Sequence, residues 1–173
     1  LGEVTYFSPL ADTSLPDAGF VYLPGGYPEL YLAALSANRP MLQSIRRYVE
    51  NGGKLLAECG GMMYLCDEIR DKNGDVYPMA GVLHQSATME NMKLRLGYRT
   101  LLYNDARLKG HEFHYSRLVE QQDPLPSCAV AYTAKGVETD TPLYHYKNVW
   151  AGYTHLYWAD PAGHDWFTKF IIK

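Results

Sequence analysis

A cysteine becomes a useful nucleophile when a sharp turn exposes it, a nearby group takes its proton, and backbone donors face the atom it attacks. One cysteine has such a setting, in Ala57-Glu58-Cys59-Gly60-Gly61-Met62, where an apolar run gives way to a pair of glycines. A residue held between a strand and a helix has its side chain thrust clear of the sheet, and the glycines let the backbone make that turn. The positive end of the following helix would favour thiolate, and the Gly60 NH would face an oxyanion formed on an attacked carbonyl. The plainer alternative makes Cys59 a small buried residue beside glycines that allow close packing. Cys66 and Cys128 lack the turn and are expected in the core.

Three further segments could complete the chemistry. Leu23-Pro24-Gly25-Gly26-Tyr27-Pro28-Glu29 is a glycine turn at the carboxyl end of an expected strand, where parallel sheets place ligands, and its NH groups could join Gly60 in an oxyanion hole. It lacks the lysine and hydroxyl residue of a nucleotide P-loop, and an ordinary strand-to-helix turn would need the same glycines. In Gly152-Tyr153-Thr154-His155-Leu156-Tyr157, His155 is the candidate general base, set against the alternative of a hydrogen-bonded core histidine. In Lys109-Gly110-His111-Glu112-Phe113-His114-Tyr115-Ser116, two histidines and a glutamate suggest a metal. Alternation along a strand puts Glu112 and His114 on one face and His111 on the other, which favours hydrogen-bonding residues that shape a pocket and no metal site.

These residues need a scaffold that brings positions 59 and 155 together. Short apolar runs alternate with helical patterns in the first half, the signature of a parallel sheet flanked by helices. Val4 to Phe7, Phe20 to Leu23 and Lys54 to Glu58 read as strands. Pro28 opens a short helix through Leu35, and Pro40 to Gly52 bounds another whose Met41, Leu42, Ile45, Tyr48 and Val49 form one stripe. Met62 to Ile69 reads as the helix after the nucleophile, and Asp71 to Asp75 as a polar turn. Beyond it, β-like runs at Tyr98 to Leu102, Glu112 to Leu118, Val130 to Tyr132 and Val149 to Tyr157 predict a mixed or antiparallel extension, closed by a helix over Phe167 to Ile172.

The 173 residues, 47% hydrophobic and 20% charged, suit one globular domain. A net charge of −3 without a basic run argues against nucleic acid or anionic membrane as partner. No apolar stretch approaches the roughly 18 residues of a membrane span, and the beginning does not resemble a signal peptide. Three cysteines without a CxxC pair argue against a disulfide framework or structural zinc, so a cytoplasmic protein is expected.

Taken in order, the motifs resemble the C-terminal glutamine amidotransferase domain of the cobyrinic acid a,c-diamide synthases. The resemblance covers Phe7-Ser8-Pro9-Leu10, Leu15-Pro16, Pro24 through Leu30, Ala57 through Leu65, Gly97-Tyr98-Arg99, Gly110 through Ser116 and Tyr153 through Leu156. The Gly-His-Glu-Phe-His-Tyr-Ser run discriminates best against related cobyric acid synthases. The resemblance implies a flavodoxin-like α/β fold, mostly parallel with helices on both faces and an antiparallel extension. It makes Cys59 the nucleophile, His155 its base, and Gly26 and Gly60 oxyanion donors, with Tyr27, Glu112 and His114 shaping the pocket. L-Glutamine would be hydrolysed through a γ-glutamyl thioester, and ammonia passed to an N-terminal synthetase domain. That domain would use ATP and magnesium to amidate the a and c carboxylates of a corrin precursor, while this one carries no cofactor. An earlier strand and helix of the family's domain have no counterpart, so the chain reads as a fragment of a larger protein.

Many related amidotransferases place a glutamate two residues after the histidine to orient it, but Tyr157 stands there. A hydroxyl or a backbone carbonyl could orient His155 instead, and the sequence assigns no residue to that task. Two other readings fit the same elbow: a non-catalytic docking module for the synthetase, and a cysteine hydrolase of the PfpI or DJ-1 type. A nickel-sirohydrochlorin acceptor is also open.

Overall fold

Residues 2–172 are described in a computed structural model of the chain. The elements are β1 (Phe20–Leu23), α1 (Leu32–Ala37), α2 (Arg39–Glu50), β2 (Lys54–Glu58), α3 (Gly60–Leu65), β3 (Glu68–Arg70), β4 (Val76–Pro78), β5 (Ser86–Thr88) and β6 (Arg95–Tyr103). They continue as β7 (Ala106–His114), β8 (Arg117–Leu118), β9 (Val130–Thr133), β10 (Glu138–Thr139), β11 (Leu143–Tyr146), β12 (Val149–Gly152), β13 (His155–Leu156) and α4 (Pro161–Ile172).

The central sheet has the order β1-β2-β12-β11, with β1, β2 and β12 parallel and β11 antiparallel. Strand alternation divides its side chains between two cores. Val21, Leu23, Leu55, Ala57, Val149 and Ala151 face the larger core, which α1, α2 and α3 cover. The predicted stripe of α2 supplies Met41, Leu42, Ile45 and Val49, all buried, with Tyr48 at its margin. Burying a side chain of this size contributes about 1.5–3 kcal/mol. Asn38 caps α2 by accepting from the Met41 NH at 3.4 Å, and Gly52, at φ +85°, turns the chain out of it.

On the opposite face, Phe20, Leu56 and Trp150 pack in a second core with Leu101, Leu108 and Trp166. That core is roofed by α4 and by a five-stranded antiparallel sheet of order β10-β9-β6-β7-β13. The expected antiparallel extension is therefore a layer in its own right, and it shares the second face with one helix. A smaller sheet, β4-β3-β5-β8, closes the end beyond α3.

Several predicted elements come out differently. Val4 to Phe7 is not a strand, since it pairs with nothing among the described residues, and Val4 and Tyr6 are exposed. The outer edge of β1 likewise pairs with none of the described strands. The Pro28-to-Leu35 helix is a single 3-10 turn, Pro28–Leu30, followed by α1. The helix predicted over Met62 to Ile69 stops at Leu65, and Glu68–Arg70 joins β4 and β5 instead, so tertiary pairing overrides helical spacing there. Val149 to Tyr157 breaks at Tyr153 and Thr154, where the chain leaves the central sheet for the antiparallel one. The closing helix begins at Pro161, earlier than predicted.

Candidate active site

The end of β2 is a nucleophile elbow. Cys59, which caps α3, has φ +49° and ψ −110°, a region that non-glycine residues enter at a cost of about 1–3 kcal/mol and occupy where surrounding structure holds them. Two backbone bonds hold it: the Cys59 NH donates to Gly152 O at 2.8 Å, and the Met63 NH donates to Cys59 O at 3.0 Å. A side chain on Gly61 would drive into Leu23 O, and one on Gly60 would meet Gly26 O at 2.5 Å and Pro28 Cδ at 2.8 Å. The glycine pair after the cysteine thus lets the start of α3 lie directly on the turn after β1. An added Cβ on Gly26 would meet nothing within 4 Å, so that side of the turn faces open space. Tyr27 stands exposed at its end.

The chain break after β12 brings His155 to this elbow. β12 runs beside β2 with Gly152 opposite Glu58, and three residues later β13 pairs with β7, placing His155 opposite His111. The His111 and His155 rings stack, their centroids 5.1 Å apart. Gly25 seats the imidazole from the other direction, because a Cβ there would occupy the ring's position. Hydrogen bonding with Cys59, and secondarily with Glu58, pushes the His155 imidazole up to about 9. The Cys59 thiol also lies 3.9 Å from Phe113 O. Cys59 and Gly60, Gly26, and His155, predicted from three separate segments, therefore meet at one place.

Glu58 is the member that the sequence reading left out. Its carboxylate is only 3% exposed, accepts the Leu156 NH on Oε1 at 3.1 Å and the Tyr22 hydroxyl on Oε2 at 2.7 Å, and places Oε2 3.5 Å from His155 Nδ1. The residue beside the His155 ring is thus a carboxylate, a group that the sequence did not assign to this place. A signal was present: an acid ending the apolar strand Leu55-Leu56-Ala57 is costly to bury unless something polar meets it.

The other predicted polar residues lie on the inner face of β7. Glu112 is fully buried, with Arg99 Nη2 3.0 Å from its Oε2 and the Thr154 hydroxyl donating to Oε1 at 3.3 Å. Burial alone would raise the Glu112 carboxyl; hydrogen bonding from His114 and Thr141 and the charge of Arg99 hold it below its ordinary value. His114 stacks on Tyr153 at 3.8 Å and donates from Nδ1 to Ser116 O at 2.9 Å. His111 faces outward, as alternation requires, and among the described residues no group of three His, Cys, Asp or Glu side chains is placed to hold a metal. Cys66 is fully buried, which pushes its thiol up, and burial raises the Cys128 thiol to about 11. Both are poor nucleophiles near neutral pH.

A strained cysteine on a strand-to-helix elbow, with an imidazole delivered from a distant strand, is an arrangement suited to a cysteine nucleophile on an α/β fold. The chain belongs to the CobB/CobQ-like glutamine amidotransferase domain family, which matches residues 2–163. It is 38% identical to the hydrogenobyrinate a,c-diamide synthase of Pseudomonas aeruginosa over 160 residues, 90% of this chain and 35% of that protein. It is 40% identical over 160 residues to the cobyrinate a,c-diamide synthase of Fusobacterium nucleatum, with the same coverage. The Salmonella typhimurium cobyrinate a,c-diamide synthase is 35% identical over 165 residues, 91% of this chain and 36% of its own length. The chain thus spans about a third of the length of these relatives. A crystal structure of a glutamine amidotransferase superposes with a TM-score of 0.56 at 19% identity, over 88% of this chain and 79% of that one, and supports the fold.

Proposed function

We propose that the chain is the glutaminase half of an a,c-diamide synthase that amidates the a and c carboxylates of cobyrinic acid. The observation that carries this reading is the strained Cys59 elbow with His155 brought to it, the ring's Nδ1 lying 3.5 Å from Glu58, the residue before the cysteine. Cys59 Sγ attacks the side-chain amide carbon of L-glutamine, and the oxyanion is met by the NH groups of Gly26 and Gly60. The imidazolium, having taken the thiol proton, gives it to nitrogen as the C–N bond breaks and ammonia leaves. Water, deprotonated by His155, then cleaves the γ-glutamyl thioester and releases glutamate. The open space beside Gly26 and the contact of Gly26 with Gly60 support this assignment. Tyr27, Glu112 and His114 bound the site without taking part in bond making.

Ammonia passes to a synthetase domain of the same protein, where ATP and magnesium activate the acceptor carboxylates. Support for such a partner lies on the outer face of the antiparallel sheet. There Tyr98 (75% exposed), His111 and His155 form one cross-strand row, flanked by the exposed pair Leu96 and Phe113. Exposed aromatic and apolar side chains at the mouth of a site mark a surface that another domain covers.

The test is labelling of the full-length protein with an electrophilic glutamine analogue, with Cys59→Ala and His155→Ala as controls and the adduct located by peptide mass spectrometry. The expected result is a Cys59 adduct that glutamine prevents and that diminishes without His155. Absence of selective labelling would overturn the reading in favour of a docking module, and labelling by small electrophiles without glutamine protection would favour a general cysteine hydrolase.

A further inference from the structure

We infer that Glu58, the residue immediately before the nucleophile, is the positioning carboxylate of His155, a role that rests on the glutaminase reading above. Its two oxygens have separate tasks. Oε1 accepts the NH of Leu156 at 3.1 Å and so holds the backbone of the two-residue strand that carries His155. Oε2 lies 3.5 Å from His155 Nδ1 and is itself fixed by the Tyr22 hydroxyl at 2.7 Å. A carboxylate facing Nδ1 keeps a proton on that nitrogen and turns the other ring nitrogen toward the thiol.

The charge balance supports this role. A carboxylate buried at the end of a parallel strand needs compensation. Its contacts are two neutral donors, Tyr22 and Leu156, and the imidazole of His155. Glu58 is thus stabilised when His155 is positive, the state needed to protonate departing ammonia. The groups facing the ring are Cys59, Glu58 from β2 and His111 from β7, and Glu58 is the one carboxylate among them. Tyr157, at the position where related amidotransferases carry their orienting glutamate, is 60% exposed and its NH is tied to Lys109 O at 2.8 Å. Register explains the exchange: Tyr22 and Glu58 lie on the same face of neighbouring strands, two residues beyond Phe20 and Leu56, so a carboxylate here reaches the imidazole from within the central sheet.

The experiment compares Glu58→Gln, Glu58→Asp and Tyr22→Phe in the full-length protein. It reads kcat and KM for glutamine across pH, thermal unfolding, and the titration and tautomer of His155 by nitrogen-15 NMR. Glu58→Gln is expected to lower kcat by about 10–100-fold with KM within about threefold, as for partners that orient a histidine through its second ring nitrogen. It should also move the alkaline limb of the profile downward by about one pH unit, since the carboxylate favours the charged imidazole. Glu58→Asp should recover part of the limb, and Tyr22→Phe should cost about threefold. A Gln variant with kcat within twofold of the parent and an unmoved limb would overturn the inference. Should that variant not fold, an unmoved His155 titration in both Glu58→Asp and Tyr22→Phe would do so. If the parent itself hydrolyses no glutamine, the functional reading falls, while the His155 titration still decides the role of Glu58.

Discussion

Among the described residues, two buried glutamates, Glu112 and Glu58, each have a histidine beside them, and the two pairs differ in what balances the carboxylate. In the first, Glu112 and His114 sit two residues apart on the inner face of β7, with Nε2 3.8 Å from Oε2. Arg99 already supplies the countercharge, and the His114 ring is held by Ser116 O and by its stack on Tyr153. In the second, Glu58 and His155 come from strands almost a hundred positions apart, and the imidazole is the cation that meets the acid. The His155 side chain is 25% exposed against 5% for His114, so it alone can reach both a substrate and a buried anion. A carboxylate beside a histidine is thus no sign of chemistry in itself. The distinction lies in whether the carboxylate depends on the proton that the histidine carries.

The most severe break of this comparison removes the partner of His155. Cys59→Ala should abolish glutamine hydrolysis, a loss on the order of 10⁴-fold or more, measured as glutamate release. The same change leaves Glu112 and His114 untouched. Gly25→Ala comes next, because the new methyl would displace the His155 ring, whereas Gly26→Ala adds a methyl in open space. A misplaced catalytic ring costs about 100-fold, so glutamine kcat/KM should fall by that amount in Gly25→Ala. Gly26→Ala should keep a folded site, and equal effects of the two changes would show that the ring is not seated where the glycine allows.

The structural pair breaks in a different observable. Glu112→Gln leaves the Arg99 guanidinium buried without its anion, a loss of about 3–5 kcal/mol, which for a domain of this size lowers Tm by roughly 6–20 °C. The pH dependences have opposite signs. The Glu112 carboxyl is held below its ordinary value, so its pairing stabilises the fold above the unfolded carboxylate range and is lost as pH falls through the lowered value. His155 is raised to about 9, so its pairing is fully present below the ordinary histidine value and is lost as pH rises through 9. Chemical denaturation across pH should therefore show Glu112→Gln losing the acid-side dependence while the alkaline limb of glutaminase activity, near pH 9, stays in place. Movement of that limb would join the two pairs into one network.

What could be read from the sequence follows the same division. The elbow was legible because Cys59-Gly60-Gly61 and Pro24-Gly25-Gly26 are local: Gly25, Gly60 and Gly61 each answer a close approach, and the parallel sheet flanked by helices follows from apolar runs that alternate with helical patterns. His155 was found as a lone histidine in a strand-like run, but the sheet change at Tyr153 and Thr154 that delivers it was not, since alternation continues across the break. Glu58 was overlooked because its partners Tyr22, Leu156 and His155 are set by register between β1, β2 and the end of β12, and single-strand patterns carry no register. Val4 to Phe7 shows the converse, a strand pattern without a neighbour to pair with among the described residues.

The smallest expected effect sharpens the comparison most. If His155 depended on the residue two positions after it, Tyr157→Phe would remove the one polar atom of that side chain and slow the enzyme. Tyr157 is largely exposed, and the backbone around it is held by Lys109 O and Glu58 Oε1, which a phenyl ring leaves unchanged. Surface substitutions of this kind fall within about 0.5 kcal/mol, so kcat/KM for glutamine and the His155 titration should stay within about twofold of the parent. Tyr157→Glu would then introduce, from the solvent side, the carboxylate that many related amidotransferases carry at this position, while Glu58 already occupies the Nδ1 side of the ring. Introduced alone it should change little. Introduced with Glu58→Gln it should recover activity only to the extent that a carboxylate at position 157 can reach the imidazole, which makes the double variant a direct measure of which strand supplies the orienting charge.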